Sequence, residues 1–196
     1  MLSIPLAAAV LGGCQEQSGQ AVPGTKLARQ AKSARQGLKA GELANRSVMN
    51  KGATAAAAKM AKGQRLGTLE IPRLGIKEWL VHGTEKEDLV LGAGHIEGTS
   101  LPGMGRNFGV AGDRVLYSAP LLRADQMVKG DEVFVETGYG SFVYTVESLQ
   151  TVTPEQTQVL LPKGYDSITL VTCDPSWQMY TRLVISARAT SEEPRL

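Results

Sequence analysis

The stretch that decides the fold is Ser167-Ile-Thr-Leu-Val-Thr-Cys173, and nine residues after its cysteine comes Arg182-Leu-Val-Ile-Ser-Ala187. Both segments are rich in β-branched side chains, which favour strands. If these strands pair antiparallel through the loop 174–181, Cys173 and Arg182 face each other at one end of a sheet. A guanidinium beside a thiol favours the thiolate and can bind an oxyanion. On spacing alone, a buried structural cysteine beside an ordinary strand-end arginine is the other interpretation.

From residue 66 onward, the sequence pattern predicts a mostly β protein. Short runs with β-branched, aromatic or alternating character predict strands at 66–71, 78–82, 108–112, 132–137, 142–152, 168–173 and 182–187. Gly138-Tyr139-Gly140 separates two of them as a hairpin turn does. Only a short helix is expected, around residues 119–127. This number of short strands predicts an all-β barrel or sandwich.

Composition excludes several classes of protein. Of the 196 residues, 42% are hydrophobic and 20% are charged, which excludes a disordered or collagen-like chain. Apolar runs stop short of the roughly 18 to 20 residues that a spanning helix needs, so a polytopic membrane protein is excluded. Two cysteines cannot build a disulfide scaffold or a four-cysteine zinc site. Nucleotide loops and EF-hand loops are also absent from the sequence, so we predict no cofactor and no metal.

Residues 1–14 have a sequence pattern typical of an export or anchoring segment. Their apolar stretch is as long as a signal-peptide core and too short to span a bilayer. Leu11-Gly-Gly-Cys14 resembles the lipobox of bacterial lipoproteins, in which the cysteine takes the lipid. However, no Lys or Arg precedes Lys26, so a truncated anchor helix is the alternative, and coincidence is a third. The first two interpretations place the domain outside the cytoplasm.

Residues 15–65 form a basic, alanine-rich segment. They carry ten Lys and Arg against Glu16 and Glu42, whereas residues 66–196 carry eleven basic groups against seventeen acidic ones. Apolar residues are too sparse there for a sustained helical stripe, and four glycines interrupt the stretches that favour helix. We interpret the segment as a flexible or partly helical stalk, solvated and close to an anionic surface. Nucleic acid is not predicted as a partner, since interleaved aromatics and a basic stripe on the domain are both missing.

Five segments of the chain occur together in a recognisable order. They are Gly67-Thr-Leu-Glu-Ile-Pro, Gly94-His-Ile-Glu-Gly-Thr-Ser-Leu-Pro-Gly, Gly105-Arg-Asn-Phe-Gly-Val-Ala-Gly, Leu170-Val-Thr-Cys173 and Arg182-Leu-Val-Ile. Residues 66–190 thereby resemble the catalytic domain of sortases, the membrane-anchored cysteine transpeptidases of Gram-positive bacteria. The resemblance implies a closed β-barrel of seven or eight strands with short helices, followed by a tail at 191–196. Thr-Cys-Asp-Pro-Ser-Trp-Gln and Tyr117-Ser-Ala-Pro are similar to class E sortases.

The resemblance also implies which residues form the site. It assigns the nucleophile to Cys173 and the catalytic arginine to Arg182. The family pattern Ala-Gly-His-Arg here reads Ala-Gly-Asp113-Arg, so an aspartate stands at the histidine position. An ordinary aspartic acid is ionised at neutral pH and cannot donate a proton to a leaving amine. The alternative acid is His95, for which a structural role is the other interpretation.

Residues around this centre are expected to contact the substrate, and we assign that role to His95, Tyr117 and Thr172. The resemblance implies a cysteine transpeptidase or hydrolase that cleaves a cell-wall sorting signal and passes the protein to a peptidoglycan amine. A pseudo-sortase that binds peptide without turnover is the alternative, and a lipoprotein scaffold that binds no peptide is a third. We expect the domain to be anchored N-terminally on the outer face of the cytoplasmic membrane.

Overall fold

The computed structural model describes residues 26–114, 119–173 and 181–195. The chain divides into two units, one ending at Ala40 and one beginning at Gly41. Helix α1 (Lys26–Ala57) runs through this boundary, and the strands of the described residues all belong to the second unit. Two residues singled out by the sequence analysis, Cys14 and Tyr117, lie outside the described residues.

Short elements follow α1 along the chain. The strands are β1 (Arg65–Ile71), β2 (Ile76–His82), β3 (Ala93–His95), β4 (Asn107–Ala111), β5 (Glu132–Thr137), β6 (Gly140–Val152), β7 (Ser167–Cys173) and β8 (Arg182–Pro194). Helix α2 (Lys86–Leu89) and three 3₁₀ turns, Pro72–Leu74, Ala124–Gln126 and Thr157–Leu160, complete the described elements. In place of the short helix expected around residues 119–127, the structure has the 3₁₀ turn Ala124–Gln126 near the end of that range.

The strands close into a barrel in the order β1-β2-β3-β4-β7-β8-β6-β5, with β5 pairing back to β1. Two neighbouring pairs are parallel, β2 with β3 and β4 with β7, and the other pairs are antiparallel. The predicted closed β-barrel is confirmed. The three-residue β3 was not predicted, because its central Gly94 weakens a strand pattern. That glycine is required by packing, since a Cβ there would lie 2.2 Å from the Gly83 carbonyl oxygen.

Alternation along the strands separates the barrel interior from its outer face. In β6, Phe142, Tyr144 and Val146 are buried, while the residues between them are partly exposed. In β7, Ile168 and Leu170 belong to the interior cluster. The apolar core therefore fills the barrel and fixes the register in which the strand ends meet.

The second half of α1 packs against this barrel, a contact that the sequence analysis does not predict. Met49 and Ala53 are fully buried, and both belong to the core cluster. Small residues make the close approach possible: a Cβ at Gly52 would lie 2.6 Å from Tyr139 Cβ, and one at Gly140 would lie 2.5 Å from Met49 Cε. Two buried side chains spaced i, i+4 are too few to form a visible stripe, yet glycine on both surfaces lets them dock.

No helix in the described part of the chain is both long and apolar enough to cross a bilayer.

Candidate active site

Cys173 and Arg182 are cross-strand neighbours at one end of the barrel. Cys173 is the last residue of β7, Arg182 is the first residue of β8, and the antiparallel register pairs them directly. This juxtaposition follows from the sequence as predicted, because the loop between the strands leaves them in register. The Cys173 thiol is free and exposed, and Arg182 is partly exposed and donates from Nη1 to the Thr181 carbonyl oxygen at 3.0 Å.

The two faces of β7 separate Cys173 from the residue before it. Because strand side chains alternate, Cys173 lies on the outer face with Thr169 and Val171, and Thr172 lies on the interior face. Thr172 is only 2% exposed, and its Oγ1 has no partner among the described atoms. The predicted substrate contact of Thr172 stays a prediction, and the structure places its side chain behind the strand that presents the thiol.

Asp113 reaches the same end of the sheet through the parallel pairing of β4 with β7. Ala111 pairs with Val171, and the Gly112 N–H donates to the Val171 carbonyl oxygen at 3.1 Å. Asp113 is two residues beyond Ala111, just as Cys173 is two residues beyond Val171. Continued past its last pair, this register places Asp113 at the same end of the sheet as Cys173 and Arg182, and a catalytic role for the three residues stays a prediction.

The backbone around Asp113 is held by its neighbours in the chain. The Asp113 carboxylate accepts the Arg114 N–H through Oδ1 at 2.7 Å, and the Asp113 carbonyl accepts the Leu121 N–H at 3.2 Å. Arg114 in turn donates from Nε to the Leu122 carbonyl at 3.1 Å and pairs with Asp125 at 3.0 Å. These contacts tie the end of β4 to the segment that follows it.

His95 lies away from this centre. It pairs with Val110 in β4, which pairs with Leu170, so it is two strands from β7 and level with a residue three positions before Cys173. The ring is 2% exposed, with its centroid 5.3 Å from that of Phe108 and its Nδ1 3.0 Å from Nδ1 of His82. Burial and the neighbouring His82 lower the pKa of His95 to about 4, which keeps the imidazole neutral at pH 7. The structure does not bring His95 to Cys173.

Metal ligands are not grouped in the described residues: none of their His, Cys, Asp and Glu side chains form a cluster of three or more able to hold an ion.

A buried polar cluster at the opposite end of β4 and β7 escaped the sequence analysis. Asn107, 1% exposed, accepts the hydroxyl groups of Ser167 at 3.1 Å and Thr169 at 2.9 Å through Oδ1. Its Nδ2 donates to the Val159 carbonyl at 3.2 Å. The only signal in the sequence is polar residues at strand positions that face outward, which reads as ordinary solvent exposure.

The described residues form an eight-stranded closed barrel in which an exposed cysteine and an arginine pair across adjacent strand ends. The family model of the sortase domain matches residues 69–190, which is more than half of the chain. The chain belongs to the sortase family.

Two curated relatives and one solved structure illustrate the similarity. The chain is 32% identical over 149 residues to sortase SrtE1 of Streptomyces coelicolor, covering 68% of this chain and 42% of that protein. It is 29% identical over 114 residues to sortase D of Bacillus subtilis, covering 58% and 56%. The crystal structure of sortase E1 from Streptomyces coelicolor with a tripeptide in its active site superposes with a TM-score of 0.62 at 30% identity, covering 69% and 94%. The chain spans about half of the length of the curated relatives it matches.

Proposed function

We propose that the protein is a sortase-type cysteine transpeptidase in which Cys173 is the nucleophile. The observation that carries the proposal is the direct pairing of Cys173 with Arg182 at an exposed edge of the barrel. The tripeptide in the active site of the similar Streptomyces coelicolor structure supports a peptide as substrate.

The proposed reaction has two displacement steps. The Cys173 thiolate attacks the Thr–Gly carbonyl carbon of a sorting signal, and the guanidinium of Arg182 stabilises the oxyanion with its forked donors. The C–N bond then breaks, and the leaving amine takes up a proton, which leaves a thioester on Cys173. A peptidoglycan amine attacks that thioester, forms the new amide bond and releases the thiol. Water in place of the amine gives hydrolysis instead.

Asp113 makes the proton transfer the weak step of this scheme. Its side chain is a carboxyl group where the family has a histidine, and Oδ1 accepts the Arg114 N–H. An ionised carboxylate is an acceptor only and has no proton to give to a leaving amine. We therefore propose an impaired enzyme. The same observation favours a second candidate function, a pseudo-sortase that binds the peptide at this edge without turning it over.

The proposal also covers the sortase class of the protein and its location in the cell. The segments after Cys173 and after Asp113 support a class E-like enzyme, for which an LAxTG-like or LPxTG-like signal is the expected substrate. We propose N-terminal anchoring on the outer face of the cytoplasmic membrane, with Cys14 as the lipid site. Changing Cys14→Ala should release the protein from membranes or leave an uncleaved precursor, whereas unchanged retention and unchanged mass would contradict the lipoprotein version.

The direct test of the activity is the covalent intermediate. The protein is incubated with LAxTG and LPxTG peptides and its intact mass is followed. A mass increase equal to the acyl portion of the peptide, lost on addition of an amine, supports the enzyme. The Cys173→Ala protein is the matched control and should show no adduct. Peptide binding without an adduct in the parent would support the pseudo-sortase instead.

A further inference from the structure

The connection between β6 and β7 passes over the outer face that presents Cys173. β6 ends at Val152, which pairs with Arg182, so the connection starts at the Cys173 end of the sheet. β7 begins at Ser167, so residues 153–166 return to the opposite end before the chain turns into the strand. The 3₁₀ turn Thr157–Leu160 lies in the middle of this path.

Asn107 holds the middle of that connection on the sheet. Its Nδ2 donates to the carbonyl oxygen of Val159, inside the 3₁₀ turn. Its Oδ1 accepts the hydroxyl groups of Ser167 and Thr169, both on the outer face of β7. One buried amide therefore joins β4, β7 and the 3₁₀ turn, and each of its two polar atoms has a partner.

The end of the connection is attached separately. The Tyr165 hydroxyl donates to Glu147 in β6 at 3.0 Å, and the Arg188 guanidinium of β8 stacks on the Tyr165 ring at 3.7 Å from its centroid. Arg188 also pairs with Glu147 at 3.1 Å. Loss of the Asn107 contacts would therefore leave the end of the connection in place and free its middle.

Thr169, Val171 and Cys173 share one face, and Thr169 is roughly 13 Å from Cys173 along an extended strand. A peptide extended for about four residues from Cys173 along this face would reach Thr169, where Asn107 holds the turn Thr157–Leu160. The turn therefore lies beside the path of such a peptide.

We propose that Asn107 is a positioning residue for peptide recognition, which acts by fixing the turn Thr157–Leu160 beside the face that carries Cys173. The inference rests on the proposed peptide-acylation function. Asn107 lies at the opposite end of the parallel strands from Cys173, so it acts through the turn and does not touch the reacting atoms.

The test uses Asn107→Asp and Asn107→Ala in the full chain. The aspartate keeps the acceptors for Ser167 and Thr169 but turns the Val159 donor into a second acceptor, and the alanine removes all three bonds. A hydrogen bond of ordinary strength shifts a local equilibrium by about 5- to 10-fold. We expect the KM for the peptide to rise by about that factor in both variants, with kcat and the rate of Cys173 alkylation within about twofold of the parent.

A second readout needs no catalysis. Lys163 lies in the same connection, and trypsin cleavage after it should accelerate by about 5- to 10-fold when the turn is released. The matched control is Thr137→Val, which removes a buried hydrogen bond to the Gly140 carbonyl at the far end of β6. It should leave both the KM and the Lys163 cleavage rate unchanged.

The outcomes separate the two proposals. If the parent forms no acyl-enzyme, the proposed function fails. If the parent acylates and both Asn107 variants keep the parental KM and cleavage rate, the positioning role is overturned. A fall in kcat at constant KM, or the same KM rise in Thr137→Val, would show a general structural effect and would equally overturn it.

Discussion

Arg114 Nη2 lies 3.0 Å from Asp125 Oδ1, and the same guanidinium donates to the Leu122 carbonyl. Arg114, the residue after Asp113, is thus clamped by its contact with the 3₁₀ turn Ala124–Gln126. Since the Leu121 N–H donates to the Asp113 carbonyl, this clamp and the end of β4 form one closed loop of contacts. The local geometry at position 113 depends on groups eight to twelve residues away.

Breaking the clamp should loosen position 113. Asp125→Asn removes the ion pair, whose side chains are 19% and 30% exposed. We expect amide hydrogen exchange at Leu121 to rise about threefold. Glu70→Gln, which breaks the more exposed pair with Lys77, is the control and should leave that amide unchanged. Equal exchange in the parent and in Asp125→Asn would show that the ion pair does not hold this loop.

Restoring histidine at position 113 should raise the activity. General acid–base groups contribute roughly 10² to 10⁴-fold, so Asp113→His should accelerate cleavage of a suitable sorting-signal peptide by about that factor. Product release is followed by chromatography. Cys173→Ala in the same background should abolish the gain. A parent as fast as its histidine variant would mean that some other group supplies the proton.

Arginine should not be replaceable by lysine at position 182. Lysine keeps the charge but cannot reproduce the forked donors of a guanidinium. We expect Arg182→Lys, tested in the Asp113→His background, to lose most of the gained activity, at least 10-fold in kcat/KM. Undiminished activity would indicate that Arg182 contributes only its charge.

Asp166 should make stability depend on pH. It is 3% exposed, accepts the Gly105 N–H at 2.7 Å, and lies near Arg46 and Glu192, and burial raises its pKa from 3.8 to about 6. The folded state therefore holds this proton more tightly than the unfolded state does. Its contribution to the free energy of unfolding is full below pH 4 and is lost as the pH rises through 6.

Asp166→Asn should remove that dependence. The neutral amide avoids the cost of burying a charge. The free energy of unfolding of the variant minus that of the parent should therefore increase by roughly 2 kcal/mol from pH 4 to pH 7. Urea unfolding at both pH values measures the difference. Because the other titrating groups are common to both proteins, the parent-to-variant difference isolates this carboxyl. A difference that does not change with pH would contradict the assignment.

The second half of α1 should stabilise the barrel. Met49 is fully buried in the barrel core, so Met49→Ala should cost about 2 to 4 kcal/mol of the free energy of unfolding. Val48 precedes Met49 and is 43% exposed, so it supplies the control. Val48→Ala should lower the free energy of unfolding by well under 1 kcal/mol. Similar losses in the two variants would mean that the helix does not dock through Met49.

The sequence predicts the strands well because their side chains alternate. β5 and β6 show this most clearly, since Val133, Val135, Phe142 and Tyr144 all point inward. The pairing of Cys173 with Arg182 was also predictable, because only one loop separates β7 from β8. Local patterns give no such help with the docking of Met49, which depends on the absence of a side chain at Gly140, about ninety residues away in the chain.

The position of Asp113 at the same end of the sheet as Cys173 came from the family resemblance alone. No spacing rule predicts that β4 and β7 pair in parallel with two strands and a long connection between them in the sequence. The polar contacts of Asn107 were missed for a related reason. Its partners are Ser167, Thr169 and a backbone carbonyl, and hydrogen bonds between distant segments leave no periodic trace.

The parallel pairing of β4 with β7 has a consequence for folding. It joins residues about sixty positions apart, and bringing such distant segments together costs loop entropy before any contact offsets it. Cys173 and Arg182 meet within one hairpin of β7 and β8, whereas Asp113 reaches their end of the sheet only when β4 pairs with β7. We therefore expect the thiol and the guanidinium to meet early in refolding, before the carboxyl group of Asp113 joins them.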